Sequence, residues 1–222
     1  MKTFKHKFFI LTCLTVVASM TACLGSDDEP DIPYENLTPA EKKAAIQAIK
    51  GNYFGKVFFY NPYATTTSQI DSTEVNWTVT ETDSMFHAIS IPVSIFANYV
   101  DDMNHKNILQ AGGNAAFRTT LHPNNIEKTN DGTYYLFSLK EDNTLTATID
   151  YEGTPHSLTV TFADIVTFYD DSGKPRAYFP FVQYWLNKFT MKLYVSTVVI
   201  DGATYDILNS MKVKTFTFNG TK

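Results

Sequence analysis

A mainly β domain, built as an antiparallel barrel or a two-sheet sandwich, is expected from three features of the chain between Tyr53 and Phe218. Aromatic and β-branched residues alternate there with Thr, Ser, Lys and Asp. Turn residues recur every dozen or so positions, and rings make up 14% of the sequence. Alternation with period two gives each strand one buried and one wet face, and closely spaced turns suit antiparallel neighbours. This spacing predicts about ten strands.

The first element in chain order is a helix. Thr38-Pro39-Ala40-Glu41 combines an N-cap hydroxyl, a proline at the first helical position and a capping-box glutamate, and Gly51 marks its end. Ala45, Ile46 and Ile49 share one face while Lys42, Lys43, Gln47 and Lys50 point elsewhere, so a short amphipathic brace is expected to dock on something larger.

Strands follow. Val75, Trp77 and Val79 alternate with Glu74, Asn76, Thr78 and Thr80. From Pro92 to Val100 the apolar residues Ile95, Phe96, Tyr99 and Val100 fall at helical spacing, which predicts a short helix bridging two strands. Leu145, Ala147, Ile149 and Tyr151 face Leu158, Val160 and Phe162 across Glu152-Gly153-Thr154-Pro155, read as a four-residue hairpin connection. Asp131-Gly132 and Asp201-Gly202 mark two tight turns, the second leading into a last segment from Tyr205 to Phe218. Between Ala177 and Phe189 the pattern breaks, and Tyr178, Phe179, Phe181, Tyr184, Trp185 and Phe189 crowd around Pro180.

The amino-terminal segment has a different character. Lys2, Lys5 and Lys7 precede an apolar stretch from Phe8 to Ala18, and Met20-Thr21-Ala22-Cys23 follows. The stretch is short of the ~20 apolar residues that cross a bilayer, so a removed signal is favoured over a spanning helix. The pattern resembles a bacterial lipoprotein signal, with Met20 standing where Leu, Val or Ile is usual. The resemblance implies cleavage before Cys23 and acylation of that cysteine, a stable membrane anchor. Ser26-Asp27-Asp28-Glu29 resembles the acidic export signal of Bacteroidetes-type lipoproteins, which implies display on the outer face of the outer membrane. The resulting division is a signal over residues 1–22, an acidic flexible tether over 23–37 and a single β-rich domain over 38–222.

Gly51-Asn52-Tyr53-Phe54-Gly55 resembles the start of lipocalin-like or calycin-like lipoproteins. With the tether, the capped helix and Ile91-Pro92-Val93, the whole chain is similar to exported lipoproteins that carry a domain of unknown function. That resemblance implies no activity.

Charge and cysteine content narrow the options. Cleavage removes three lysines and no acids, so the formal balance of −5 falls to −8, and nucleic acid, which needs a basic stripe, is not an expected partner. After cleavage Cys23 is the one cysteine left, so the domain can form no disulfide and no thiolate metal site.

Catalytic and metal motifs are missing as well. His87, His105, His122 and His156 are too far apart in sequence to pair on one element, and no nucleophile elbow, phosphate loop or calcium loop is present. Asp170-Asp171-Ser172-Gly173-Lys174 reads as a hairpin tip, and Asp101-Asp102 as a solvated helix end. Asp71-Ser72-Thr73 and Asp83-Ser84-Met85 resemble short acceptor motifs for O-glycosylation. No catalysis and no cofactor are expected.

One feature suggests binding. Flat rings with polar edges suit sugar faces and small apolar ligands, so Tyr178, Tyr184 and Trp185 are the expected ligand contacts. The expected role is a lipid-anchored module that captures a glycan or small apolar ligand at the cell surface. The alternative is a structural subunit that contacts other envelope proteins.

Overall fold

The computed structural model describes residues 37–65, 69–139, 143–169, 173–208 and 214–222. The proposed signal, Cys23 and the acidic run therefore lie outside the described residues, as do Asp170, Asp171 and Ser172. The fold belongs to one compact unit, Tyr34–Lys222.

Helix α1 (Pro39–Ile49) opens the chain, and the expected capping box is present: the Thr38 hydroxyl accepts from the Glu41 amide while Glu41 accepts from Thr38. Strands β1 (Gly51–Tyr60), β2 (Ile70–Val79) and β3 (Met85–Pro92) follow. A 3-10 helix (Val93–Tyr99) and helix α2 (Met103–Ala111) then lead to β4 (Asn114–Thr129) and β5 (Gly132–Leu139). Next come β6 (Thr144–Tyr151), β7 (Thr154–Phe162), β8 (Val166–Tyr169) and β9 (Pro175–Tyr178). The chain ends with β10 (Phe181–Trp185), β11 (Lys188–Ile200), β12 (Ala203–Asp206) and β13 (Thr215–Thr221).

Of the two expected architectures the barrel is the one formed. β1 to β5 pair in succession, β5 pairs with β10, β10 with β11, β11 with β13, and β13 returns to β1. Every contact is antiparallel, so this is a closed, eight-stranded up-and-down barrel with β6 to β9 and β12 as insertions. Closure removes the free sheet edges that a sandwich would leave.

One stretch of the wall is forked. β4 pairs with β6 at Ala116 and Phe117 but with β5 from Leu121 onward, while β11 pairs with β10 along 188–192 and with β7 along 195–200. The gap between β4 and β11 is thus bridged by β5 and β10 at one end, here the lower, and by the β6–β7 hairpin at the upper end. At the branch Thr119 donates to the Asn143 side chain at 2.7 Å and the Asn143 carbonyl accepts from the Phe162 amide. Both side chains are buried, and their pairing avoids the cost of unmet polar groups where the strands part.

Eight strands leave an interior just wide enough for side chains to fill. Tyr53, Trp77, Phe86, Phe117, Phe189 and Phe218 fill it, with neighbouring ring centroids 5.0 to 6.3 Å apart. The pair Gly55 and Gly220, opposed on β1 and β13, makes room: a Cβ on either would lie 2.5 to 2.7 Å from the tip of the Trp77 ring. The glycine of the opening Gly-ring-Gly run is therefore a seat for an indole.

Helices close both ends. α1 buries Ala45, Ile46 and Ile49 against the lower end, where the Tyr53 hydroxyl donates to the Ile49 carbonyl, Lys50 pairs with Glu81 at 2.6 Å and Lys222 reaches the Ala48 carbonyl at 2.7 Å. At the upper end Phe96 of the 3-10 helix stacks on Phe216, and Tyr99 packs against Tyr60.

Several details depart from expectation. Among the described residues thirteen strands are present where about ten were expected, because the aromatic block and the last segment each divide. The β6–β7 connection is the two residues Glu152 and Gly153, both at positive φ, with Thr154 and Pro155 already in the strand. The crossover holds two helices rather than one. Asp102 starts the second, accepting from the His105 amide as N-cap, instead of ending the first.

Candidate functional site

The aromatic block does not gather its rings on one surface. Tyr184 sits inside the barrel, only 7% exposed, edge-on to Tyr53 and near Tyr135, and its hydroxyl donates to Asn187 at 3.0 Å. Burial, then the neighbouring Tyr135, holds its phenol above the ordinary tyrosine range. Trp185, the next residue along β10, points to the opposite face and is 38% exposed. Four residues of strand, about 13 Å, separate it from Phe181, on whose far side the chain comes in from Tyr178.

Tyr178 belongs to the separate β8–β9 hairpin. It is 45% exposed and lies beside Tyr194, an outward-facing residue of β11 that is nevertheless buried with Ala163 and Val166. Burial raises the Tyr194 phenol, and Tyr178 adds to the shift. The three expected ligand contacts therefore fall in three settings: Tyr184 in the core, Trp185 on the lower rim and Tyr178 on an outer hairpin.

Two histidine clusters stand near the upper end. The Nδ1 of His156 lies 2.6 Å from Asp201, whose other oxygen accepts from the Ser157 amide at 2.8 Å. A carboxylate only accepts, so Nδ1 carries the proton. The hydrogen bond from His156, then that from Ser157, holds the Asp201 carboxyl below its usual range. Ser157 Oγ also faces Asp201, at 3.4 Å, so the serine meets the acid rather than the imidazole and no nucleophile–base relay is formed. The cluster ties the Asp201–Gly202 turn to the start of β7.

In the second cluster the His105 ring hydrogen-bonds the Tyr205 hydroxyl, docking α2 on β12. Burial, then Asp102 and Asp101, raises the Tyr205 phenol. His87 faces outward between Thr78 and Arg118, and burial with the nearby guanidinium keeps its pKa low. His122 is exposed on β4. Among the described residues no group of three His, Cys, Asp or Glu side chains could hold a metal ion. No described helix is long and apolar enough to cross a membrane.

Sequence reasoning missed the turn that follows Trp185. Leu186 and Asn187 both have positive φ, 48° and 61°, and form the two-residue connection between β10 and β11. Asparagine accepts that geometry readily, but a leucine there is unusual, and no Gly or Pro flags the turn.

The class these features define is a closed, up-and-down antiparallel barrel, filled by its own rings and capped by helices. The model of the family described as domain of unknown function DUF4840 matches residues 48–200, and the chain belongs to that family. The match stops at the end of β11, although β13 is needed to close the wall. No curated protein and no solved structure matches the chain.

Proposed function

We propose that this chain is a lipid-anchored protein of the outer membrane, fastened through Cys23 and displayed on the cell exterior, that acts by binding and not by catalysis. Its contacts are with other proteins of the envelope. The observation that carries this reading is the state of the interior: rings in mutual contact fill it and helices cover both ends, so recognition falls to the outer surface. That surface carries exposed apolar residues, among them Tyr63, Met103 and Ile165, that a protein partner could cover.

Cross-linking in intact cells tests the assembly role. One dominant protein partner is expected, and a chain that is only ever recovered uncross-linked defeats it. Mass spectrometry of the native amino terminus tests the anchor, with an acylated Cys23 expected. Capture of a glycan or small apolar ligand is the second reading, favoured by Tyr178, a ring with a polar edge standing exposed on its own hairpin. Under that reading Tyr178→Ala abolishes binding on a glycan array.

A further inference from the structure

The lower rim of the barrel places two exposed apolar side chains beside the point where the amino-terminal chain joins the fold. Trp185 is 38% and Leu186 53% exposed, at the end of β10 and the start of its turn. Both lie against Gly132: a Cβ built there would be 3.4 Å from Leu186 and 3.8 Å from the Trp185 indole nitrogen. Gly132 pairs with Thr129 at the end of β4, the strand against which α1 packs, and the charge of the adjacent Lys128 adds slightly to the lowering of the Glu41 carboxyl in the first turn of α1. The tip and the start of α1 are thus neighbours on one side of the rim.

The turn itself is costly in two ways. Positive φ is unfavourable for leucine, and a side chain of its size gains nothing from facing water. Asparagine or glycine would relieve both defects, so the leucine calls for a reason outside the fold. Asn187, fixed by the Tyr184 hydroxyl, holds the tip rigid. Lys188 stands across from Trp185, and the same cross-strand row continues through Thr221 to Phe54, which is also exposed. Tryptophan and lysine together at the edge of an apolar tip are the residues found where protein meets a membrane interface.

We propose that the Trp185–Leu186 tip is a second membrane contact, inserting at headgroup depth into the bilayer that holds the amino-terminal anchor. This rests on the lipid-anchor reading above. The fourteen residues 24–37 join Cys23 to the N-cap Thr38, a link whose length sets an upper bound of ~50 Å on their separation. The anchor therefore keeps the rim that receives it near the lipid surface. Asp131 in the adjoining turn limits the contact to the interface.

The test uses the chain from Cys23 to Lys222, which contains the whole compact unit and a single thiol. Cys23 is coupled to a maleimide-headgroup lipid in vesicles of phosphatidylcholine with a minor share of phosphatidylglycerol. Trp77 is buried in the core, so the difference in emission between wild type and Trp185→Phe reports residue 185. Lipids brominated near the headgroup are expected to quench that component by about half. Leu186→Asn is expected to reduce the quenched fraction roughly fivefold. The same variant is expected to raise Tm by ~2–4 °C, because asparagine suits the left-handed turn, so the lost contact is not a folding defect. Unquenched wild-type Trp185, or Leu186→Asn quenched as strongly as wild type, overturns the proposal and leaves the tip to a protein partner. Chemical coupling supplies the anchor in every sample, so this outcome is separate from whether the cell acylates Cys23.

Discussion

The two ends of the barrel are closed by different means. At the lower end one helix, contiguous with β1, places Ala45, Ile46 and Ile49 over a column in which Trp77 touches Tyr53, Phe86, Phe189 and Phe218. At the upper end a 3-10 helix and α2, inserted between β3 and β4, cover the opening through Phe96 on Phe216, and α2 is fixed to β12 by a polar contact that spans a hundred residues of sequence. The lower cap adjoins its own strand in sequence and is tied down by Lys50 on Glu81 and by Lys222 on the Ala48 carbonyl, whereas the upper cap is an insertion clasped to β12 through His105 and Tyr205. Docking a helix that directly precedes β1 closes almost no loop, so the lower end is expected to be most sensitive at its ring column.

Truncating the two central rings should separate the ends most clearly. Trp77→Ala is expected to cost ~5 kcal/mol and Phe96→Ala ~3 kcal/mol, measured by denaturant unfolding, because the indole has the larger set of ring partners. Equal losses would mean that the column is no more central than the upper plug.

Alkaline titration gives the next largest effect. Burial raises Tyr53, and also Tyr99, above the ordinary value of 10.0. In the range above that value the unfolded chain loses phenolic protons that the folded chain keeps. The stability contributed by these rings is therefore complete below about pH 10 and is lost as pH rises toward the folded values. Tyr53→Phe is expected to flatten this loss for the lower end and Tyr99→Phe for the upper. A slope unchanged in both variants, followed by unfolding at stepped pH, would show that neither ring carries it.

The smallest effect belongs to the polar clasp. Tyr205→Phe removes the partner of His105 and is expected to cost ~1 kcal/mol, with hydrogen exchange accelerated in α2 and unchanged in α1. Equal acceleration in both helices would remove the distinction between the ends.

Much of the fold is legible one strand at a time. Val75, Trp77 and Val79 are buried while Glu74 and Asn76 are exposed, and the capping box of α1 is where Thr38 and Glu41 place it. The same alternation put Tyr184 and Trp185 on opposite faces, but the density of rings around Pro180 drew them together as one candidate site. Helix α2 was missed because its first turn, Met103-Asn104-His105, has no apolar stripe, and its one signal, Asp102 as N-cap, also suits a helix end. The Leu186–Asn187 turn was missed because leucine is not a turn residue, and its left-handed φ is visible only once β10 and β11 are paired.

The sequence alone therefore determined which side chains the plainly alternating strands such as β2, β6 and β7 turn inward, where α1 begins, and that cysteine chemistry is confined to the amino terminus. These depend on neighbours within a few residues, where period and capping rules act directly. Only the tertiary structure decided that the sheet closes, that its wall forks at Thr119 and Asn143, and that Gly55 and Gly220 make a seat for Trp77. Those features depend on which strands become neighbours, and that is set by packing between segments far apart in the chain, about which alternation within a strand carries no information.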